Sequence, residues 1–139
     1  MQKKEYTIPM NYASAERQAR LFKALMHPVR LQILDLLRDG EQCVCHLEAL
    51  LGQRQAYVSQ QLAVLRKAGL LNDRRDGGNS YYCITRPEVL GLLDSARAIM
   101  GEAWSERSAP PPDCPCPRCS PSLGRSPDPV MFSTEEILR

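Results

Sequence analysis

Apolar residues in the first two-thirds of the chain recur mostly three and four positions apart, the spacing that lines one face of a helix. From Ser14 to about Met26, Ala15, Ala19, Phe22 and Leu25/Met26 share such a face, with Ser14 placed to cap it. His27-Pro28 interrupts the pattern, and Pro28 suits the first turn of the next helix, where a missing N–H goes unnoticed. That second helix carries Val29, Ile33, Leu34, Leu36 and Leu37 in a stripe wide enough for a central core helix, and it stops at Asp39-Gly40. A third helix is expected from about Val44 to Leu51, with Leu47, Leu50 and Leu51 inward and Gly52 ending it. The fourth runs from about Ala56 to Ala68, with Val58, Leu62 and Leu65 at i, i+4 and i+7. Two helices joined by a turn of about four residues that contains glycine make a helix-turn-helix signature.

The period then shortens. Leu70 to Arg75 and Ser80 to Thr85 read as short strands, with Gly77-Gly78-Asn79 supplying the positive φ values of a hairpin turn. Pro87 opens a fifth helix to about Glu106. On it Val89, Leu92, Leu93, Ala96, Ile99, Met100 and Ala103 hold helical spacing, and Leu90 and Trp104 add apolar flanks. That is more apolar surface than one face of so small a domain needs. It points to a dimer seam shared with the first helix, against the alternative of burial within one subunit. The architecture is therefore mainly α with a small β-hairpin, in the order α-α-α-α-β-β-α.

Composition divides the chain into three. Residues 1–12 read as a mobile arm and residues 13–106 as the folded domain. In residues 107–139 lie eight of the eleven prolines, with almost no apolar residue before Val130. Such a tail cannot repay its ordering entropy by burial, and it is expected to be disordered unless tied down. Ser133 to Leu138 can form one capped helical turn. A net charge of +2 is uninformative, but its distribution is not. Arg54 to Arg86 holds six basic and two acidic residues, and Pro87 to Glu106 holds one basic and four acidic. A basic middle beside an acidic helix fits one face for phosphates and another for self-association. No apolar run approaches a membrane span, and no signal core follows the N-terminus, so a cytoplasmic location is expected. Six cysteines in such a chain read as reduced thiols for metal or redox work. An enzyme is not expected: His27 and His46 are the only histidines, and no acid/base constellation surrounds them.

The second helix of a helix-turn-helix enters the major groove. With Val58, Leu62 and Leu65 inward, Gln60, Ala63, Val64 and Lys67 lie opposite, and Tyr57, Ser59 and Gln61 fall at the margins. Glutamine can bond adenine by two hydrogen bonds and serine is permissive, so Tyr57, Ser59, Gln60 and Gln61 are the expected base contacts. Arg54, Arg66 and Lys67 suit phosphates, and Arg74 and Arg75, at the ribbon tip, suit backbone or minor groove. Cys43-Val-Cys45 lies at the start of the third helix, where two thiolates can share one soft ion and the helix terminus favours negative charge. Cys83, in the second strand, is expected to be inert packing. His46 fits a ligand or a solvated helix residue, and the solvated reading is preferred.

Three stretches of the chain resemble the ArsR/SmtB family of metalloregulators: Leu25-Met26-His27-Pro28-Val29-Arg30-Leu31-Gln32-Ile33-Leu34-Asp35-Leu36-Leu37, Val58-Ser59-Gln60-Gln61-Leu62-Ala63-Val64-Leu65-Arg66-Lys67-Ala68-Gly69-Leu70, and the hairpin ending Tyr81-Tyr82. The resemblance implies a winged helix-turn-helix homodimer, joined through its first and fifth helices, that represses from operator DNA until an inducer releases it. The family often has histidine where Gln60 and Gln61 stand, so operator sequence does not carry over. Cys43 and Cys45 fall where its arsenic and cadmium/lead sensors carry a Cys-Val-Cys pair. The third cysteine of the arsenic-sensing pattern is replaced by Glu48. Further sulfurs are then expected from Cys114, Cys116 and Cys119, whose C-x-C-x-x-C run can alternatively bind its own metal or act as a redox element. Soft thiolates select As(III)/Sb(III) or Cd(II)/Pb(II), and no organic cofactor is expected. The fifth helix has no histidine, unlike that of zinc-sensing members. A thiol-redox repressor stays open as an alternative. The expected switch is a pull on the third helix that shifts the recognition helices.

Overall fold

A computed structural model describes residues 7–102. The order is α1 (Tyr12–Leu25), α2 (Pro28–Leu36), β1 (Gln42–Cys43), α3 (Val44–Leu51), α4 (Gln55–Lys67), β2 (Leu71–Asp76), β3 (Asn79–Ile84) and α5 (Glu88–Met100). The four-helix, hairpin and helix order matches the reading from sequence, with one strand added. The expectations for residues 107–139, including Cys114, Cys116 and Cys119, lie outside the described residues, as do those for Ala103, Trp104 and the start of the arm.

Local chemistry sets the boundaries. Asn11, not Ser14, caps α1: it is extended, and its Oδ1 accepts a hydrogen bond from the Ser14 N–H at 2.9 Å. An Asn three residues upstream competes equally well for the cap and adds Tyr12 and Ala13 to the helix. Pro28 does open α2, which ends at Leu36, earlier than expected, because the Arg38 and Gly40 amides turn back to Asp35 and Leu37. In the hairpin only Gly77 and Gly78 have positive φ, 56° and 84°, and Asn79 already belongs to β3. A two-residue turn with both residues left-handed matches the twist of the strands it joins. α5 stops at Gly101, whose φ of 73° is the left-handed conformation that ends helices.

β1 has only two residues, too few to show any period. It pairs antiparallel with β3, Gln42 opposite Tyr82 and Cys43 opposite Tyr81, giving a three-stranded sheet in the order β1-β3-β2. The sheet therefore ties the start of α3 to the hairpin. Ile33, Leu34, Leu47, Val58, Leu62 and Leu65 form the centre of the core and are each 0% exposed. Each such side chain removed from water contributes ~1.5–3 kcal/mol, so α2, α3 and α4 are held chiefly by this cluster. Tyr12, Phe22 and Met26 near α1 and Ile99 and Met100 on α5 are exposed. Among the described residues, no helix is long and apolar enough to cross a membrane.

Candidate thiol site and nucleic-acid interface

Cys43 has two roles. It pairs in β1, and its extended backbone makes it the N-cap of α3, with Sγ accepting from the His46 N–H at 3.2 Å. Its side chain is 1% exposed and packs on Tyr81, and the half-buried Cys45 packs against the same pair. Both cysteines nonetheless line a cleft of about 320 Å³ that opens between α3, α4 and the hairpin. Glu48 of α3, Ser59 of α4 and Arg75 of β2 share its wall. Cys83 is half-buried on β3, and burial, followed by the nearby Glu41 carboxylate, pushes its thiol pKa up, as suits packing. His46 departs from the preferred reading. It is 6% exposed, because the first turn of α3 faces the core rather than solvent. Among the described residues, no three His, Cys, Asp or Glu side chains come together as a metal cluster. The donor chemistry of Cys43 and Cys45 suits a thiophilic ion.

The side chains assigned to DNA divide by their partners. Arg54, at the N-cap of α4, and Ser59, Gln60 and Lys67 along it are exposed. Gln61 is not on the outer margin: it is 8% exposed, and its Oε1 accepts from Arg30 Nε at 2.8 Å. The same guanidinium donates to the Lys23 and Ala24 carbonyls at the end of α1. Tyr57 is half-buried, its hydroxyl 3.1 Å from His27 Nε2. His27 Nδ1 accepts from the Val29 N–H at 3.2 Å, which leaves Nε2 to carry the proton of the neutral ring. Two side chains of the predicted reading face thus anchor α4 to the α1–α2 junction. Arg66 pairs with Asp73 at 3.3 Å.

Arg74 and Arg75 separate because successive strand residues point to opposite faces. Arg74 lies over the Tyr81 ring at 4.8 Å and donates to both Glu41 oxygens, the shortest contact being 2.6 Å. Those bonds raise its pKa further, and they hold it to the base of the hairpin rather than the tip. Arg75 is exposed and faces the thiol cleft. The sequence assigns no site role to Glu41, Tyr81, His27 or Arg30. Strand alternation pairs Arg74 with Tyr81's face once β3 is registered, but no local pattern marks Glu41 or Arg30.

Residues 27–73 match the family described as bacterial regulatory protein, arsR family. An uncharacterised HTH-type transcriptional regulator of Mycobacterium tuberculosis is 40% identical over 93 residues, covering 66% of this chain and 82% of the relative. The crystal structure of NolR from Sinorhizobium fredii superposes with a TM-score of 0.62 at 33% identity, over 71% of this chain and 99% of that one. The crystal structure of AntR, an antimony-specific transcriptional repressor, gives a TM-score of 0.62 at 32% identity, over 70% of this chain and 89% of that one. With its winged helix-turn-helix and these relatives, the chain belongs to the arsR family of bacterial transcriptional repressors, proteins that regulate through DNA and are not enzymes.

Proposed function

We propose that this repressor leaves its operator when a thiophilic metal(loid), As(III) or Sb(III), is held by Cys43 and Cys45 with sulfurs from Cys114, Cys116 and Cys119. The observation that carries the reading is that both thiols line a cleft between the recognition helix and the wing. A soft ligand there acts where DNA contact is made. The antimony-specific repressor among the similar structures supports the same choice of ligand. Cd(II)/Pb(II) is the second reading, favoured by the Glu48 carboxylate, an oxygen donor on the same cleft wall. DNA contact is assigned to Arg54, Ser59, Gln60, Lys67 and Arg75, which are exposed on α4 and the wing. Tyr57, Gln61 and Arg74 are assigned to holding those elements in place. The operator is read by a homodimer joined through α1 and α5, whose unpartnered Met26 and Ile99 are 78% and 87% exposed.

The test is a gel shift with and without As(III), Sb(III), Cd(II) and Pb(II). A coupling of ~1–3 kcal/mol corresponds to a ~5- to 150-fold loss of operator affinity in the wild type. Cys43→Ser is the informative variant, because serine is a good N-cap and α3 keeps its first turn. The variant is expected to bind DNA normally and to ignore the metal. Release of DNA as readily as in the wild type would falsify the assignment of Cys43.

A further inference from the structure

Arg30, on α2, joins two other helices. Its Nε donates to Gln61 Oε1 of α4 at 2.8 Å, and its Nη1 donates to the Lys23 and Ala24 carbonyls of α1 at 3.3 and 3.1 Å. Those carbonyls lie in the last turn of α1, where helix donors run out and a cation is favoured. Arg38, Arg66, Arg74 and Arg97 pair with carboxylates, whereas Arg30, among the described residues, pairs with none. Its planar guanidinium holds the donors at fixed angles, which the flexible ammonium of lysine would not. One turn earlier on α4, the Tyr57 hydroxyl meets His27, the N-cap of α2. Tyr57 and Gln61 are four residues apart and so share a face of the helix. The apolar contacts of Val58, Leu62 and Leu65 hold α4 to the core but are non-directional. Hydrogen bonds weaken steeply with angle, so the two polar contacts set how far α4 is turned about its axis. Ser59 and Gln60 lie between them in sequence and are exposed.

We infer that Arg30 is a positioning residue for operator reading: by joining the last turn of α1 to Gln61, it fixes the rotation of α4 at which Ser59 and Gln60 meet base edges. Arg30 itself makes no base contact in this arrangement. Base-edge hydrogen bonds need that rotation, whereas phosphate contacts, made by long flexible side chains to a uniform backbone, tolerate an error in it. Loss of Arg30 therefore lowers sequence preference and spares general affinity for DNA. The inference rests on the assignment of Ser59 and Gln60 to DNA and is independent of the thiol site.

The experiment gives the metal-free full chain two duplexes: one that the wild type selects from a random-sequence pool, and a scrambled duplex of the same composition. The readout is the ratio of their dissociation constants, because partial unfolding weakens both alike and leaves the ratio unchanged. Arg30→Met is expected to lower the ratio about tenfold. Its affinity for the scrambled duplex is expected to stay within about twofold of the wild type. Gln61→Met is expected to lower the ratio equally, and the double variant no further, since both remove one interaction. Losses that multiply, or an unchanged ratio in either single variant, would overturn the inference. Arg30→Lys keeps the charge and loses the fork, so it is expected to resemble Arg30→Met; full preference with lysine overturns the positioning role. Should Arg30→Met fail to fold, Gln61→Met and Arg30→Lys still decide. The Ser59→Ala/Gln60→Ala double variant separates the two readings. If it loses preference while Gln61→Met keeps it, the positioning role alone falls. If it keeps full preference, the reading face lies elsewhere and the inference falls with it.

Discussion

Cys83 and Cys43 lie on neighbouring strands yet differ as chemical groups. Cys43, though the more buried of the two, caps a helix start and borders a cleft, whereas the half-buried Cys83 lies near the Glu41 carboxylate, and its partial burial and that charge both disfavour its thiolate. Its alkylation should therefore follow a pH profile whose midpoint lies above that of an ordinary thiol, ~8.5. A midpoint at or below that value, measured by mass spectrometry in Cys43→Ser/Cys45→Ser protein, would contradict the burial argument. The same scale explains what happened to the recognition face. Gln60 and Gln61 are adjacent, and the 100° between successive helical residues puts one outside and the other at the edge of the core stripe. Whether that edge position reads DNA or packs depends on a partner thirty-one residues away, Arg30, and nothing local to Gln61 reveals it.

Elements are fixed to one another by a few charged contacts as well as by the core. α5 is bolted to α2 through Arg38, which donates to both Asp94 oxygens at 2.7 and 3.0 Å, and through Arg97, 3.1 Å from Asp35. The Arg38 hydrogen bonds hold the Asp94 carboxyl below its usual range. A lowered folded-state pKa adds stability that is present above the unfolded value, ~3.9, and is lost as pH falls through the folded one. Asp94→Asn should therefore melt slightly below the wild type at neutral pH, and the two should converge in acid. Thermal melts from pH 7 down to pH 3 check this, and a gap that widens on acidification would refute it. Asp94 is half-exposed, so the effect is small and weakens with salt. The helices and the hairpin turn were legible because their apolar period and their glycines are local signals. β1 was not: a two-residue strand is specified by its neighbour β3, and no local pattern marks it.

For the whole molecule, Tyr12, Phe22 and Met26 near α1 and Ile99 and Met100 on α5 are exposed apolar side chains, and none of them lines the thiol cleft. If those helices form the seam of the dimer, a charge buried there without a partner costs ~3–5 kcal/mol. Met26→Glu or Ile99→Glu should then raise the dimer dissociation constant by at least ~100-fold, since 1.4 kcal/mol is tenfold. Analytical ultracentrifugation reads this directly, and a variant that stays dimeric at the wild-type concentration places the seam elsewhere. Loss of the dimer should also cost operator affinity, because two half-sites are read only by two recognition helices held at fixed spacing.

By itself the sequence determined the helical order, the glycine turn of the wing, the core residues and the pairing of a thiol motif with a helix start. These are short-range matters, set by periodicity and by which backbone angles a residue tolerates. Tertiary structure decided which polar side chains remain available. It withdrew Gln61, Tyr57 and Arg74 into contacts with Arg30, His27 and Glu41, and it set Arg75 on the same cleft as Cys43 and Cys45. The physical reason is that a polar side chain's role depends on its nearest complementary group, and those groups are brought together only when distant segments pack.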